Sequence, residues 1–281
     1  MDKYYKAGEA IKKLGIPRSS FFVLVNTGKI PKVNLPLRKQ ALYPKEEIDK
    51  IAAEQAKFLQ ELEQSPERLK FMLPRREDLE QLVDIDRLVF HGETLILPDE
   101  QQRRFAYNPE AMHVLKDTKT DTVLGGITMS PLKQEVLEKL MRLEIDETQV
   151  KPEDYLPFTT GKLIDNYVIG IIARPGVGEK YYAGKLIYAA RDYLLELLEH
   201  GVIIRRIYTV ASTKDGERTV KNLDFTRLPG ERKGKYEEFR HPYVLDLETT
   251  DSKSKLVQEY LNRKKNLERR QKRYKMSLSL D

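Results

Sequence analysis

The 281 residues carry a net charge of +6, are 40% hydrophobic and 33% charged, and include no cysteine. That length suits two domains of unequal size. The missing cysteines exclude disulfide scaffolds, thiolate metal sites and cysteine nucleophiles, and His91, His113, His200 and His241 lack ligand spacing, so no metal is expected. No apolar run is long enough to span a bilayer and "MDKYYKAGEA" lacks the apolar core of a secretion signal, which predicts a soluble, cytoplasmic chain with no membrane partner. The charge is segregated: residues 1–50 hold 11 Lys/Arg against 5 Asp/Glu, residues 251–281 hold 10 against 4, and the middle is acidic. Two basic ends point to a polyanion, because each cation set beside a phosphate releases condensed counterion.

"YKAGEAIKKL" (5–14) places Ala7, Ala10, Ile11 and Leu14 at helical spacing, and Gly15 stops the helix. Pro17 then presets a second helix that Gly28 closes, and two short helices joined by a tight turn predict a helix-turn-helix. On the second helix Phe21, Leu24 and Val25 are read as inward, with Ser19, Val23 and Asn26 outward and Arg18 and Phe22 beside them. Its amino end offers Arg18, Ser19 and Ser20 with free backbone N–H groups, a combination suited to phosphate and base edges; Phe22 and Val23 suit thymine methyls or a protein neighbour. Residues 32–43, with Lys32, Arg38 and Lys39, read as a β wing, and a further helix starts near Pro44.

The framework "AGEAIKKLGIPRSS", "GKIP" and "LYPKEEIDKIA" resembles the winged helix-turn-helix of the MerR and excisionase-like group over residues 4–53. The resemblance implies binding to double-stranded DNA, with Arg18, Ser19 and Ser20 at the groove and Arg38 and Lys39 on the backbone; Phe22 and Lys32 are further candidate contacts. Residues 54–66 continue the last helix as a linker with Phe58, Leu59 and Leu62 on its apolar stripe, ended by Ser65 and Pro66; such a helix packs either on its own module or on a second copy, and two-fold DNA sites make the homodimer the expectation.

From Leu69 the texture becomes mixed. "RLKFMLPRRE" reads as a strand, "DLEQLVDIDRLVF" as an amphipathic helix, "AMHVLKDT" and "TVLGGITMSPL" as paired strands, and "QEVLEKLMRLEI" as a helix. The buried strand "NYVIGIIARPG" leads through a Gly-rich loop to the helix "YAGKLIYAARDYLLELLEHG", with Ala183, Leu186, Ile187, Ala190, Leu194 and Leu197 on one face. "IRRIYTVAST", a short helix ending at "LDF", and "HPYVLDL" complete the series.

This order, over residues 67–248, resembles the GNAT acetyltransferase superfamily, most strongly in "YVIGIIARPGVGEKYYAGKLIYAARDYLLELL". The resemblance implies a mixed sheet flanked by helices and a cradle for acetyl-CoA. Ile171 and Ile172 would bond the pantetheine, and Gly176, Gly178, Lys180, Tyr182, Ala183 and Gly184 would form the pyrophosphate loop and helix start, with Ser212 nearby. The sequence departs from the family loop: Gly178 falls at its Arg/Gln position and Tyr181 at its first glycine. Asp224 replaces the glycine of Leu-Gly-Phe, and Val220, where the family often has a tyrosine acid, donates no proton. Glu144, Asp146 and Asp165 are candidate bases with no spacing to select one, so the catalytic residue stays unassigned. Thr213 reads as a helix cap, and His113 and His241 as ordinary core or surface residues.

The organisation expected is therefore α/β (α+β): a winged helix-turn-helix at 1–53, a linker helix at 54–66, a GNAT-like domain at 67–248 and a basic helical tail at 249–281. The leading functional expectation is a sequence-specific DNA-binding transcriptional regulator, nucleoid-associated, whose GNAT-like domain acts as sensor, dimerisation platform or degenerate enzyme. It requires no cofactor and takes an acyl-CoA or small-molecule effector. The alternatives are an active acetyl-CoA-dependent N-acetyltransferase delivered by the amino-terminal module, and an excisionase-like or partitioning accessory protein.

Overall fold

The computed structural model describes residues 3–36, 40–89, 96–176, 178–230, 232–233 and 239–278. The amino-terminal segment contains β1 (Tyr4–Tyr5) and β2 (Tyr43–Pro44), paired antiparallel, and the helices α1 (Ala7–Leu14), α2 (Arg18–Asn26) and α3 (Lys45–Gln64). α1 ends where Gly15 turns left-handed at φ 65° and its N–H reaches back to Ile11 O at 2.9 Å. Phe21 sits edge-on to Tyr43 at 4.8 Å in a core with Ala10, Leu14, Ile16, Val25, Ile30 and Ile48. Within the span expected to form a wing (32–43) Val33 and Leu42 make an isolated antiparallel bridge outside β1 and β2; Arg38 and Lys39 lie outside the described residues.

Chain order then gives β3 (Leu69–Met72), α4 (Arg76–Val89), α5 (Pro98–Phe105), β4 (Met112–Asp117), β5 (Thr122–Pro131), α6 (Gln134–Met141), β6 (Leu163–Ala173), α7 (Glu179–Glu199), β7 (Ile203–Ala211), α8 (Lys214–Asn222), β8 (Thr226–Arg227), β9 (Arg232–Lys233), β10 (Phe239–Asp246) and α9 (Lys255–Leu278). The sheet runs β3-β4-β5-β6-β7-β10-β8, with β9 on β10. β6 and β7 pair in parallel, so the chain must cross over between them, and α7 is that crossover. β3–β4 and β7–β10 are antiparallel. This is the mixed sheet flanked by helices that the GNAT resemblance implies. Among the described residues no helix is long and apolar enough to cross a membrane.

The chain divides into two compact units. The first comprises Met1–Pro98, His113–Gly126 and Ile171–Ile187. It contains a buried ion cluster: Lys116 Nζ donates to Asp78 Oδ1 at 2.5 Å and meets Asp121 Oδ1 at 2.7 Å, while the Arg75 N–H donates to Asp78 Oδ2 at 2.9 Å. Burial works to raise the Asp78 carboxyl, but Lys116 and Arg75 outweigh it and hold the group below its ordinary range. Beside this cluster Arg68 grips Asp117 with two bonds of 2.6 and 2.5 Å. The second unit, Asp99–Met112, Ile127–Gly170 and Tyr188–Asp281, has its core where α6 packs Val136, Leu137, Leu140 and Met141 against Tyr155 and Tyr167. There α9 is anchored by buried Val257 and by Tyr260, whose hydroxyl accepts from Ile204 N–H at 2.8 Å.

His113 stacks flat on Phe71, with 4.7 Å between centroids, and burial pushes its pKa down to about 4. Between pH 6.5 and 4 the unfolded chain takes up a proton that the folded imidazole refuses, so stability falls as pH falls through that window, by about 3 kcal/mol at its lower end. His113→Phe is expected to flatten this part of the melting temperature against pH curve. An unchanged slope in the variant would show that His113 is not the group responsible.

Candidate active site

The last β6–β7 pair is Val168 with Thr209, and there the Thr209 hydroxyl donates to Val168 O at 2.9 Å. A side chain thus takes up a carbonyl at the end of the ladder, while β6 itself continues to Ala173. In the first unit the end of β6 presses close to β5. A Cβ on Gly125 would lie 2.4 Å from Ile172 O, 2.8 Å from Leu186 Cδ1 and 3.0 Å from Ala173 Cα, so this approach needs a residue without a side chain. Arg174 then ties the chain to β5 through its N–H to Leu124 O and its Nε to Val123 O, both at 2.8 Å.

Beyond Arg174 the chain turns into α7 through two left-handed glycines, Gly176 at φ 112° and Gly178 at φ 80°. The Gly176 N–H donates to Glu179 Oε2 at 3.1 Å. Leu24 of α2 and Leu59 of α3 close over the turn: a Cβ on Gly176 would be 3.3 Å from Leu24 Cδ1, and one on Gly178 would be 3.2 Å from Leu59 Cδ2. A Cβ on Gly178 would also lie 2.7 Å from Tyr182 Cζ. Lys180 is exposed, Tyr181 is half-buried with Lys185 Nζ 5.3 Å from its ring, and Gly184 faces open space. Ile171 is exposed, and Ile172 and Ala183 are half-buried.

The donors at this turn suit an anion. The Gly176 amide already holds an anion, the Glu179 carboxylate, at the start of a 21-residue helix whose dipole favours negative charge, with exposed Lys180 and Lys185 nearby. The donor chemistry fits a pyrophosphate that replaces that carboxylate. Tyr182, placed by the sequence among the cofactor contacts, belongs instead to the core with Leu62, Leu115, Leu124 and Leu186, and burial pushes its hydroxyl up to about 12.

In the second unit the three candidate bases are all engaged. Glu144 accepts from Arg142 Nε at 2.7 Å, Asp146 accepts from Thr148 N–H at 3.0 Å, and Asp165 accepts two bonds from Arg205 at 3.0 and 2.7 Å. A cluster that the sequence did not reveal lies around Glu147: Tyr167 donates to its Oε1 at 2.7 Å, Arg240 to its Oε2 at 2.5 Å, and Arg104 to its backbone carbonyl at 3.0 Å. The partners stand 20, 93 and 43 positions away, and no linear pattern links them. Thr213 caps α8 by accepting from Gly216 N–H, and Ser212 precedes it, half-buried. Asp224 adopts φ 69°, the left-handed conformation that accounts for glycine at this point of the family pattern.

The residues expected to meet DNA are distributed differently. Arg18, Ser19 and Lys32 are exposed, with the Arg18 guanidinium 5.2 Å over the half-buried Phe22 ring. Ser20 and Val23, read as contact and outward positions, are buried at 5% and 9% exposure. No family model and no curated protein matches the chain. Among solved structures it is similar to a GNAT-family acetyltransferase from Bacillus anthracis (13% identity, TM-score 0.38, covering 64% of this chain and 95% of that one). It is also similar to NAA60 from Arabidopsis thaliana in complex with acetyl-CoA (16%, 0.41, 63% and 99%) and to a spermidine/spermine N-acetyltransferase from Vibrio cholerae (14%, 0.40, 70% and 98%). These matches are acetyltransferase structures, and the expectation of a sequence-specific DNA-binding regulator is corrected on that finding. The physical counterpart is the placement of α2, whose Leu24 is turned onto the Gly176 turn and whose Ser20 and Val23 are withdrawn from solvent.

Gly125→Ala forces a methyl against a backbone oxygen that has no room to move, and overpacking of this kind costs about 1–3 kcal/mol. Urea unfolding should register that loss. A variant as stable as the parent would mean that β6 can draw back from β5.

Proposed function

We propose that the chain is an acetyl-CoA-dependent N-acetyltransferase acting on an amine. The observation that carries this reading is the left-handed glycine turn after β6, whose Gly176 amide holds a carboxylate at the head of α7. When bound, acetyl-CoA supplies an activated thioester carbonyl, and attack by an amine nitrogen displaces the coenzyme thiolate. The chain's own contribution begins with position. The backbone at Ile171 is offered to the pantetheine, while the Ile172 carbonyl lies against β5; the Gly176 amide and the α7 amino end take the phosphates, and Lys180 adds positive charge where they would lie. Thr209 keeps the Val168 carbonyl occupied. Val220 and the engaged carboxylates Glu144, Asp146 and Asp165 do not serve as proton carriers in this reading, so the ammonium loses its proton to solvent before attack, and the departing coenzyme thiolate is protonated from solvent.

Titration with acetyl-CoA should raise the melting temperature, and a hundredfold excess over Kd corresponds to about 2.7 kcal/mol of added stability. With an amine acceptor panel, thiol release should follow; because the chain has no cysteine, a thiol reagent reports coenzyme thiol without background from the protein. Lys180→Glu should weaken binding about three- to tenfold. Absence of any melting shift at millimolar acetyl-CoA would overturn the reading.

A further inference from the structure

We infer that the amino-terminal helices gate the coenzyme turn: with Leu24 and Leu59 seated over Gly176 and Gly178 and the Glu179 carboxylate on the Gly176 amide, acetyl-CoA binds only by expelling that carboxylate and lifting α2. The inference rests on the acetyltransferase reading and concerns regulation of the same site.

Three observations meet at this turn. The first is chemical. A backbone amide that would serve a phosphate oxygen already serves Glu179 Oε2 at 3.1 Å, and the two acceptors are mutually exclusive for one N–H. The second is steric. Gly176 and Gly178 carry no side chain, and the space this leaves is not open, because Leu24 Cδ1 stands 3.3 Å and Leu59 Cδ2 3.2 Å from where a Cβ would be. Glycines that leave such room beneath a phosphate are here covered by leucine methyls. By contrast Gly170 and Gly184, on the strand and helix that flank the turn, have nothing within 4 Å of an added Cβ, so the cover is confined to the turn.

The third observation is how the cover is mounted. α3 is fixed at its carboxyl end, where Leu62 is fully buried with Tyr182 and Leu186, whereas Leu24 and Leu59 are only half-buried. Leu62 keeps α3 attached while those two side chains withdraw from the turn. A molecule that engages the exposed face of α2, with Arg18, Ser19 and Asn26, would therefore pull on the same element that closes the turn.

The test is acetyl-CoA binding by calorimetry on the full chain, its Glu179→Gln variant and its Leu24→Ala/Leu59→Ala variant, with hydrogen exchange of residues 18–26 in the parent. Removing the charged competitor should tighten binding about tenfold, and removing the leucine methyls should tighten it several-fold. Saturating acetyl-CoA should speed exchange in α2 at least several-fold. Parent-like affinity in both variants, with α2 exchange unchanged or slowed, overturns the gate and leaves the acetyltransferase reading standing. Failure of the parent and every variant to bind overturns both. Where the leucine variant melts early, Glu179→Gln and the exchange measurement on the parent decide the matter.

Discussion

The turn from β6 into α7 is the constraint on which the rest of the molecule depends. A parallel β6–β7 pair demands a crossover, the crossover is α7, and the chain enters α7 through Gly176 and Gly178, whose left-handed backbone angles other residues rarely adopt. Arg174 anchors the turn to β5, Gly125 lets β6 approach β5 closely enough for that anchor to form, and Leu186 of α7 closes on the same glycine. The amino-terminal helices are then fitted to the finished turn through Leu24 and Leu59. Strand, turn, helix and cover form one mechanical series, and the proposed chemistry sits at its centre.

A second constraint keeps that series in register. Lys116 and Asp117 are neighbours on β4, and each is committed to a different partner, Lys116 to Asp78 of α4 and Asp117 to Arg68 just before β3. Buried pairs of this kind contribute little net stability, because desolvation offsets the attraction, but removing one member leaves an uncompensated charge in the interior. The cluster thus penalises any arrangement in which β4 slips by one residue. Burial opposes ionisation of Asp78 and Asp117 alike, and in both cases the adjacent cation prevails.

The legibility of the sequence followed the presence of an apolar period. α1, α3 and α7 were readable because Ala10, Leu14, Leu62, Leu186 and Leu194 recur at helical spacing, and each is buried. α2 carries Phe21, Phe22, Val23, Leu24 and Val25 in succession, so no single face is marked; Val23, expected outward, is buried, while Leu24, expected inward, does pack on the amino-terminal core and also reaches the Gly176 turn, a contact that no local pattern announces. α5 was invisible for the opposite reason. Its buried positions are Gln101 and Arg104, and Arg104 is held by Glu100, Thr148 and the Glu147 carbonyl, partners that no hydrophobic pattern announces. The glycine turn was legible in composition, but its occupancy by Glu179 was not, since a carboxylate at a helix start ordinarily signals a favourable dipole contact and nothing more.

The segregated charge calls for a different interpretation from the one that composition invites. Positive ends and an acidic middle are separated along the chain, but folding brings parts of them together. Arg263 and Lys264 of the basic tail reach Glu199 and Glu248, and Arg191 reaches Glu259 in the tail. At the other end Lys13 pairs with Asp49, whose carboxyl is held low chiefly by that lysine, and Lys45 lies 5.3 Å over the Tyr5 ring. Each such exposed pair contributes about 0–1 kcal/mol, too little to organise the fold, yet together they direct α9 along acidic positions of the second unit and hold α1 to α3 in the first. Arg263 and Lys264 of the basic tail are therefore already met by acids of the chain's own middle, whereas Lys13 is met within its own basic end, and net charge counted along the sequence overstates the positive surface at the tail.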